Sequence, residues 1–381
     1  MRVGVPCFGG DAGRSGIGRY IIQLLGEFAD ADQEWQFDVP VHISEQDAYL
    51  PDHGPLKALP VGEGVRNPLL NVAWHQIVLP RMAHQLGWDV LLLPAGNRRL
   101  PVAAPCPMVG VVHDMSSIHV AAKYDPARMF YIKRVLPFLF RRLTMVISPS
   151  KSTRKDLIEY AALPPERIRV IPLGVDHERF RPRNPETARK RMAKRYGLKH
   201  PFILYVSRIE HPGKNHAGLI RAFRRMKKEY NGPLQLVLAG SDWSRAREVH
   251  RMAEASGCAH DIVFTGFVDS VDLPDLYSAS RAVVFPSLYE GFGLPVLEAM
   301  ASGAPVACSD RSSLPEVAGD AALLFDPEDD SAMADAMTRL VDDETLVARL
   351  HDAGIARSRE YSWERTARET LDCIREAASS S

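Results

Sequence analysis

The sequence predicts an α/β protein with parallel sheets, divided into two domains. Of its 381 residues, 46% are hydrophobic and 25% are charged, which is typical of globular proteins, and the length suits two domains. Short apolar runs rich in Val, Ile and Leu alternate with longer helical patterns, as expected for strands that are covered on both faces. The alternation begins again after residue 172, so we place the domain boundary near Gly174.

The predicted strands are separated by turn residues and by helical patterns. The first strand begins at the N-terminus, and the clearest of the others are 89–94, 107–112, 145–148, 169–172, 202–207, 234–239, 262–265, 282–286 and 305–307. Helical patterns predict helices over 214–230, 244–255 and 331–350, and a last helix over 362–378 with Ser362 as its N-cap. The predicted division of the chain is therefore 1–172, 173–361 and a C-terminal segment, 362–381.

Composition argues against several classes of function. The 47 basic and 47 acidic residues balance, whereas a protein dedicated to nucleic acid carries a basic excess. The five cysteines are scattered without a CxxC pair, so we expect neither a disulfide framework nor a zinc site, and a reducing cytoplasm suits them best. We expect no membrane-spanning segment, because the uncharged stretches 67–80 and 100–112 are too short to cross a bilayer.

The basic segment, residues 121–156, has nine basic residues against two acidic ones, interleaved with aromatic and aliphatic side chains. Asp125 and Pro126 supply an N-cap and a first helical residue there. Pattern alone favours a helix packed on the core with a solvated basic face. The alternative is an amphipathic surface that contacts anionic lipid or a phosphorylated acceptor.

The segment 286–300 has the densest chemical signal, because an apolar strand is followed by a glycine-containing loop and a helix. Gly291 and Gly293 let backbone N–H groups approach a ligand closely, and the helix N-terminus behind them favours a phosphate. Glu290 and Glu298 add two carboxylates, which suit the vicinal hydroxyls of a sugar. Either glutamate alone is more simply explained as a helix-capping carboxylate, but the combination predicts a site for a nucleotide-sugar.

Two cations follow the first predicted strand of the second domain. Arg208 and Lys214 lie where open α/β sheets bind ligands, and they could stabilise a departing diphosphate without a metal. Each by itself is more simply a solvated charge. We expect no catalytic metal, because no DxD-like pair follows a predicted strand.

Together these motifs resemble the retaining glycosyltransferases of family 4, which have the GT-B fold. Glu290 and Glu298 form an E-x7-E pattern, and Arg208 and Lys214 precede it. Further segments carry the resemblance, namely 173–180, 264–268, 303–306 and 314–322, with a thinner match at 13–20, 113–114 and 148–150. The resemblance implies two Rossmann-like domains that face a central cleft, with the acceptor bound by 1–172 and the donor by 173–361. It also implies that the helix of 362–381 packs back on the N-terminal domain.

The resemblance also implies roles for residues of the second domain. Arg208 and Lys214 would hold the donor pyrophosphate, and Glu298 would hold the ribose diol. Glu290 would hold the transferred sugar with the backbone of the loop that follows it. The residues implied for that loop and for the nucleobase pocket are Phe292, Gly293, Leu294, Thr265, Gly266 and Val268.

In the first domain the resemblance implies three site residues. His113 would meet the donor sugar, and Gly16 and Gly18 would form the loop after the first strand, close to the diphosphate and the acceptor. From the sequence alone, these glycines equally suit an ordinary strand-to-helix turn, and His113 equally suits a buried, hydrogen-bonded histidine.

The expected function is retaining transfer of a hexose from a nucleotide-diphosphate sugar to a glycan or lipid-linked acceptor in bacterial polysaccharide synthesis. The stretch 209–215 favours GDP-mannose as the donor among the family's substrates, and no other cofactor is expected. The expected location is the cytoplasm, and a lipid-linked acceptor would bring the basic segment to the inner face of the membrane. A GT-B nucleotide-sugar epimerase and a non-catalytic nucleotide-sugar-binding protein are the alternatives.

Overall fold

The computed structural model of the chain describes residues 1–8, 11–32, 34–96, 99–120 and 126–380. Its strands are β1 Arg2–Gly4, β2 Gln36–His42, β3 Leu56–Val61, β4 Val90–Leu93, β5 Met108–Val111, β6 Met145–Ser148, β7 Ile168–Val170, β8 Phe202–Val206, β9 Gln235–Ala239, β10 Ile262–Gly266, β11 Ala282–Phe285, β12 Val306–Ser309 and β13 Ala322–Phe325. The strands β2, β3 and β13 were not among those that the sequence predicted clearly.

Helices connect the strands, except that β4 is followed directly by β5 among the described residues. They are α1 Gly16–Ala29, α2 Gln46–Tyr49, α3 Pro68–Ala73, α4 Leu79–Leu86, α5 Ser116–His119, α6 Pro126–Phe130, α7 Leu136–Phe140, α8 Lys151–Ala161, α9 Pro185–Tyr196, α10 His216–Glu229, α11 Ala246–Glu254, α12 Leu273–Ala279, α13 Leu294–Ala301, α14 Leu314–Ala318, α15 Asp330–Asp342, α16 Glu344–Ser358 and α17 Trp363–Ser379. Two π-helical turns, Trp74–Val78 and Tyr131–Val135, each run into a helix with proline at its second position. Because proline lacks the N–H that would bond to the preceding turn, the wider turn accommodates it.

The chain divides into two compact units. The first consists of Met1–Met115, Tyr124–Gly174 and Trp363–Ser381, and the second consists of Ser116–Lys123 and Val175–Ser362. Residues 121–125 of the basic segment, with the predicted N-cap Asp125, lie outside the described residues. None of the helices in the described part of the chain combines the length and the apolar character that crossing a bilayer requires.

The first unit contains a sheet of seven parallel strands, counted over the described residues, in the order β3-β2-β1-β4-β5-β6-β7. Its strands β4, β5 and β6 are fully buried, which explains their continuous apolar runs. The helix α17 packs in this unit, where the Trp363 ring lies 6.0 Å from the Tyr20 ring of α1. The Thr366 hydroxyl also donates to the Pro172 carbonyl over 2.8 Å.

The second unit contains, within its described residues, a sheet of six parallel strands in the order β10-β9-β8-β11-β12-β13. Both sheets are parallel, and helices connect nearly all of their consecutive strands, so the α/β prediction is confirmed. In a parallel sheet the carboxyl ends of neighbouring strands share one edge, so the loops that follow β8 and β11 emerge side by side.

Two local predictions are wrong. The single helix expected over 331–350 is divided into α15 and α16, because Asp343 has a non-helical backbone (φ −95°, ψ 89°) and its carboxylate accepts from the Leu346 N–H as an N-cap. Gly16 and Gly18, expected in a loop, lie in the first turn of α1. Ser15 caps that helix, and its hydroxyl accepts from the Gly18 N–H over 3.2 Å.

Candidate active site

The site is centred on an ion pair between the loops that follow β8 and β11. Lys214 Nζ donates to Glu290 Oε1 over 2.6 Å, although the two residues are 76 positions apart. The two side chains are only 19% and 15% exposed, so solvent screens their attraction weakly. The structure thus brings together a cation and a carboxylate that the sequence predicted to share a site.

Hydrogen bonds hold these two loops against each other. The Leu288 N–H donates to the Gly213 carbonyl over 3.0 Å. Below them, the buried Tyr205 hydroxyl donates to the Lys214 carbonyl over 2.8 Å and lies 3.1 Å from Ser287 Oγ. Burial, helped by the Glu290 charge, raises the pKa of Tyr205 well above its ordinary value, so the hydroxyl keeps the proton that it donates.

The start of α10 fixes the end of the Lys214 loop. Asn215 has a left-handed backbone (φ 53°) and caps the helix by accepting from the Gly218 N–H over 3.2 Å, while its amide donates to the Pro327 carbonyl over 2.7 Å. His216 is fully buried, and its Nδ1 donates to the Glu210 carbonyl over 3.1 Å. Burial lowers the pKa of His216 to about 4, so the ring is neutral at physiological pH.

The loop after β12 holds the backbone around Glu290. Ser312 Oγ accepts from the Glu290 N–H over 2.9 Å. Ser313 Oγ lies 2.9 Å from the Glu290 carbonyl oxygen and 2.7 Å from that of Phe292. The carboxylate of Glu290 is therefore presented by a loop whose main chain is fixed on both sides.

Glycine begins the helix that follows this loop. Gly293 is the N-cap of α13 with φ 113°, a conformation that favours glycine, and a Cβ atom there would lie 2.7 Å from the Leu314 side chain. Leu294 is the first helical residue, and a helix start capped by glycine presents N–H groups that attract a phosphate. Phe292 is buried, with its ring edge-on to Tyr361 at 5.9 Å.

Glu298 lies one turn into α13 and is 4% exposed. The Tyr277 hydroxyl donates to its Oε2 over 3.1 Å, which satisfies part of the charge that burial would otherwise penalise. A buried tyrosine hydroxyl, rather than solvent, therefore orients this carboxylate.

Arg208 has partners different from those of Lys214. Its guanidinium lies 5.0 Å from the centre of the Trp243 ring and 3.4 Å from Glu210 Oε2. The predicted nucleobase residues lie farther along the same edge, at the end of β10. Thr265 Oγ1 donates to the Gly266 carbonyl over 3.0 Å, Gly266 has φ 68°, and Val268 is buried.

In the first unit, His113 packs against the helix that contains the other two predicted residues, Gly16 and Gly18. The His113 ring lies 4.8 Å from the Tyr20 ring, edge to face, and Tyr20 belongs to the same helix as Gly16 and Gly18. His113 Nε2 lies 2.7 Å from the Pro94 carbonyl oxygen, which can only accept, so this nitrogen carries the proton. Nowhere in the described ranges do three or more His, Cys, Asp or Glu side chains form a group that could hold a metal ion.

Two family models match the chain. "Glycosyltransferase Family 4" matches residues 14–179, and "Glycosyl transferases group 1" matches residues 188–357. The chain belongs to the family 4-like glycosyltransferases. It is similar to O-antigen chain mannosyltransferase B of Escherichia coli, with 29% identity over 95% of this chain and 96% of that protein. It is also 34% identical to the serotype-specific mannosyltransferase WbdA of Escherichia coli over 72% of this chain, but it spans only 33% of WbdA.

Solved structures share the architecture of this glycosyltransferase. HepE of Anabaena, crystallised with UDP and glucose, superposes with a TM-score of 0.76 over 98% of both chains at 19% identity. This likeness, with the two parallel sheets, confirms the predicted GT-B fold.

Sequence reasoning missed several residues that shape the site of this glycosyltransferase. Tyr205 was only part of an apolar strand pattern, and its position below Lys214 follows from the fold. Ser312 and Ser313 are small polar residues in a loop, a signal too common to single them out.

Proposed function

We propose that this glycosyltransferase moves a mannosyl group from GDP-mannose to a hydroxyl of a growing polysaccharide, with retention at the anomeric carbon. The observation that carries the proposal is the 2.6 Å contact between Lys214 and Glu290 at the carboxyl edge of the second sheet. A nucleotide-sugar presents an anionic diphosphate next to a ring of hydroxyls. A cation and a carboxylate side by side match those two neighbouring groups.

The proposed reaction needs no nucleophile from the protein. The bond between the anomeric carbon and the diphosphate oxygen breaks, and a bond to the acceptor oxygen forms on the same face of the sugar. The acceptor proton passes to the departing phosphate, which leaves as nucleoside diphosphate. Lys214, Arg208 and the first N–H groups of α13 stabilise the charge on that phosphate, so we propose that neither a metal nor another cofactor takes part.

The remaining predicted residues are proposed to bind the nucleoside and the sugar of the donor, and the acceptor. We propose that Glu298, oriented by Tyr277, binds the ribose hydroxyls and that Thr265, Gly266 and Val268 line the nucleobase site. The residues of the first unit, His113, Gly16 and Gly18, are proposed to contact the donor sugar and the acceptor.

The names of the relatives support mannose as the transferred sugar and a polysaccharide as the acceptor. Both relatives described above are named mannosyltransferases, and one of them is named for the O-antigen chain. HepE, whose crystals contain UDP and glucose, makes UDP-sugars the competing class of donor.

A donor screen tests the proposal. Purified protein is incubated with GDP-mannose or with UDP-hexoses, with and without an acceptor extract, with and without EDTA, while nucleoside diphosphate release and the anomeric configuration of the product are measured. We expect GDP release that depends on acceptor, an α-linked product, and a rate that EDTA does not change. Turnover of UDP-sugars alone would overturn the donor, and an inverted product would overturn retention. Rescue of EDTA-treated protein by magnesium would overturn metal independence. Epimerised donor, or binding without turnover, would overturn transfer itself.

We further propose that the acceptor is a glycan or a lipid-linked glycan and that the basic segment contacts the cytoplasmic face of the inner membrane. Phe130 is 65% exposed and Phe138 is 41% exposed, and the Arg142 guanidinium lies 4.9 Å from the Phe138 ring centre. Lys133 and Arg134 are exposed on the same stretch. Exposed aromatic rings beside cations suit an anionic bilayer surface. Equal sedimentation with neutral and anionic liposomes would contradict this contact.

A further inference from the structure

We propose that Trp243 is a positioning residue, which holds the Arg208 guanidinium where it meets the donor diphosphate. The inference rests on the proposed role of Arg208 as a diphosphate ligand. Trp243 lies in the loop that follows β9, outside the segments that carry the family resemblance.

The loops after β8 and β9 continue side by side beyond the ends of their strands. The Ile209 N–H donates to the Ser241 carbonyl, and the Trp243 N–H donates to the Ile209 carbonyl, both over 2.9 Å. Gly240 makes this close approach possible, because a Cβ atom there would lie 2.0 Å from the Ser207 carbonyl oxygen. The backbone positions of Arg208 and Trp243 are therefore fixed relative to each other.

Two groups restrain the Arg208 side chain on this frame. The Trp243 ring lies 5.0 Å below the guanidinium carbon, and the Glu210 carboxylate is 3.4 Å away. Glu210 is itself 4% exposed, whereas the Arg208 side chain is 46% exposed. A half-exposed arginine samples many rotamers, so a ring beneath its planar guanidinium reduces the conformational freedom that ligand binding would otherwise have to remove.

The packing of the unit does not account for Trp243. Its side chain is 59% exposed, whereas the other four tryptophans, Trp35, Trp74, Trp88 and Trp363, are all buried. A tryptophan ring that is so exposed contributes little to the hydrophobic core, but it can still contact a neighbouring side chain. The same exposure makes Trp243 the tryptophan that a soluble quencher reaches most readily.

A double-mutant cycle tests the inference. The dissociation constants of GDP and UDP are measured by calorimetry for the wild type, Trp243→Ala, Trp243→Phe, Arg208→Ala and the Arg208→Ala/Trp243→Ala double variant. We expect Trp243→Ala to weaken binding about three- to fivefold, the size of an exposed cation–π contact. Trp243→Phe keeps an aromatic face and should retain most of the affinity. In the Arg208→Ala background, loss of Trp243 should have no further effect.

The outcomes separate this inference from the proposed function. If Arg208→Ala weakens binding but Trp243→Ala does not, the positioning role is wrong while the proposed function stands. If Trp243→Ala weakens binding equally with and without Arg208, the ring acts directly on the ligand or on folding, and the positioning role is again wrong. If the wild type binds neither nucleotide, the proposed function fails and the inference falls with it.

Acrylamide quenching supplies a readout that does not depend on ligand. Because the guanidinium covers part of the ring, Arg208→Ala should increase quenching of the exposed tryptophan, and Trp243→Phe should remove most of the quenchable emission. Unchanged quenching in Arg208→Ala would show that the two side chains do not stack in solution, and it would overturn the inference.

Discussion

The ion pair between Lys214 and Glu290 makes the sharpest prediction, because the chain contains a matched control. Lys227 Nζ lies 3.1 Å from Asp261 Oδ2, and those side chains are 18% and 12% exposed, close to the 19% and 15% of the site pair. Asp261 immediately precedes β10, so this second pair lies at the amino edge of the same sheet, opposite the proposed site.

Glu290→Gln and Asp261→Asn should therefore have similar effects on stability and different effects on activity. Each substitution removes the charge from a mostly buried pair, which we expect to lower the free energy of unfolding by about 1–3 kcal/mol. Only Glu290→Gln removes a carboxylate from the proposed sugar site. If that contact strengthens in the transition state, kcat/KM should fall about 100- to 1000-fold, or about 3–4 kcal/mol.

The assay compares acceptor-dependent release of nucleoside diphosphate with the midpoint of urea unfolding for both variants. Asp261→Asn should keep kcat/KM within about threefold of the wild type, a change of about 0.7 kcal/mol. A Glu290→Gln variant that unfolds like Asp261→Asn and also retains wild-type kcat/KM would refute the assignment of Glu290 to the site.

Three further predictions concern the same unit. Lys214→Ala should lower kcat/KM about 100-fold or more in the transfer assay, because the departing phosphate loses a cation, and near-normal turnover would remove Lys214 from the site. Tyr277→Phe, which deletes the hydrogen bond to Glu298, should raise the KM for the donor about tenfold with little change in kcat, and an unchanged KM would show that Glu298 needs no such orientation. The pKa of His216 falls from 6.5 to about 4 on folding. Between pH 6.5 and pH 4 the His216 ring is therefore protonated in the unfolded state and neutral in the folded state. The free energy of unfolding should fall by about 3 kcal/mol as the pH drops from 6.5 to 4, and His216→Asn, followed by urea titration at both pH values, should flatten that dependence.

Local patterns predicted the inner strands of the second sheet, β8, β9, β11 and β12, because almost every residue in them is buried. They missed the edge strand β13, of whose four residues only Phe325 is buried. They did not predict β2, which contains a buried acid and a proline. Asp38 is 3% exposed and accepts from Arg2 Nε and from Trp88 Nε1, each over 2.7 Å. Because these partners are distant in the chain, a local pattern scores Asp38 as a loop residue. The neighbouring β3 lies at the sheet edge, where Pro60 is tolerated and an apolar run is not required.

The candidate site, too, was predictable only where its residues lie close to a strand in the sequence. Lys214 and Glu290 each follow a predicted strand, and the carboxyl ends of parallel strands share one edge of the sheet. The sequence therefore indicated a common site even though it did not give the order of the strands in the sheet. Their direct contact depends on β8 and β11 being neighbours, which is a property of the whole sheet. Ser312 and Ser313 form hydrogen bonds with the backbone of Glu290, and Ser312 has a left-handed backbone there (φ 54°). A serine in the sequence does not predict that conformation.

The helix α17 has a consequence for the order in which the chain folds during synthesis. It completes the first unit, where Ile374 and Ala377 are fully buried, yet the ribosome makes it after the whole of Val175–Ser362. The first unit therefore emerges with an apolar face uncovered, and it must wait for the second unit to be translated before that face is closed. A nascent chain arrested before residue 363 should accordingly bind a hydrophobic dye or a chaperone through its first unit, and release it once α17 has been made.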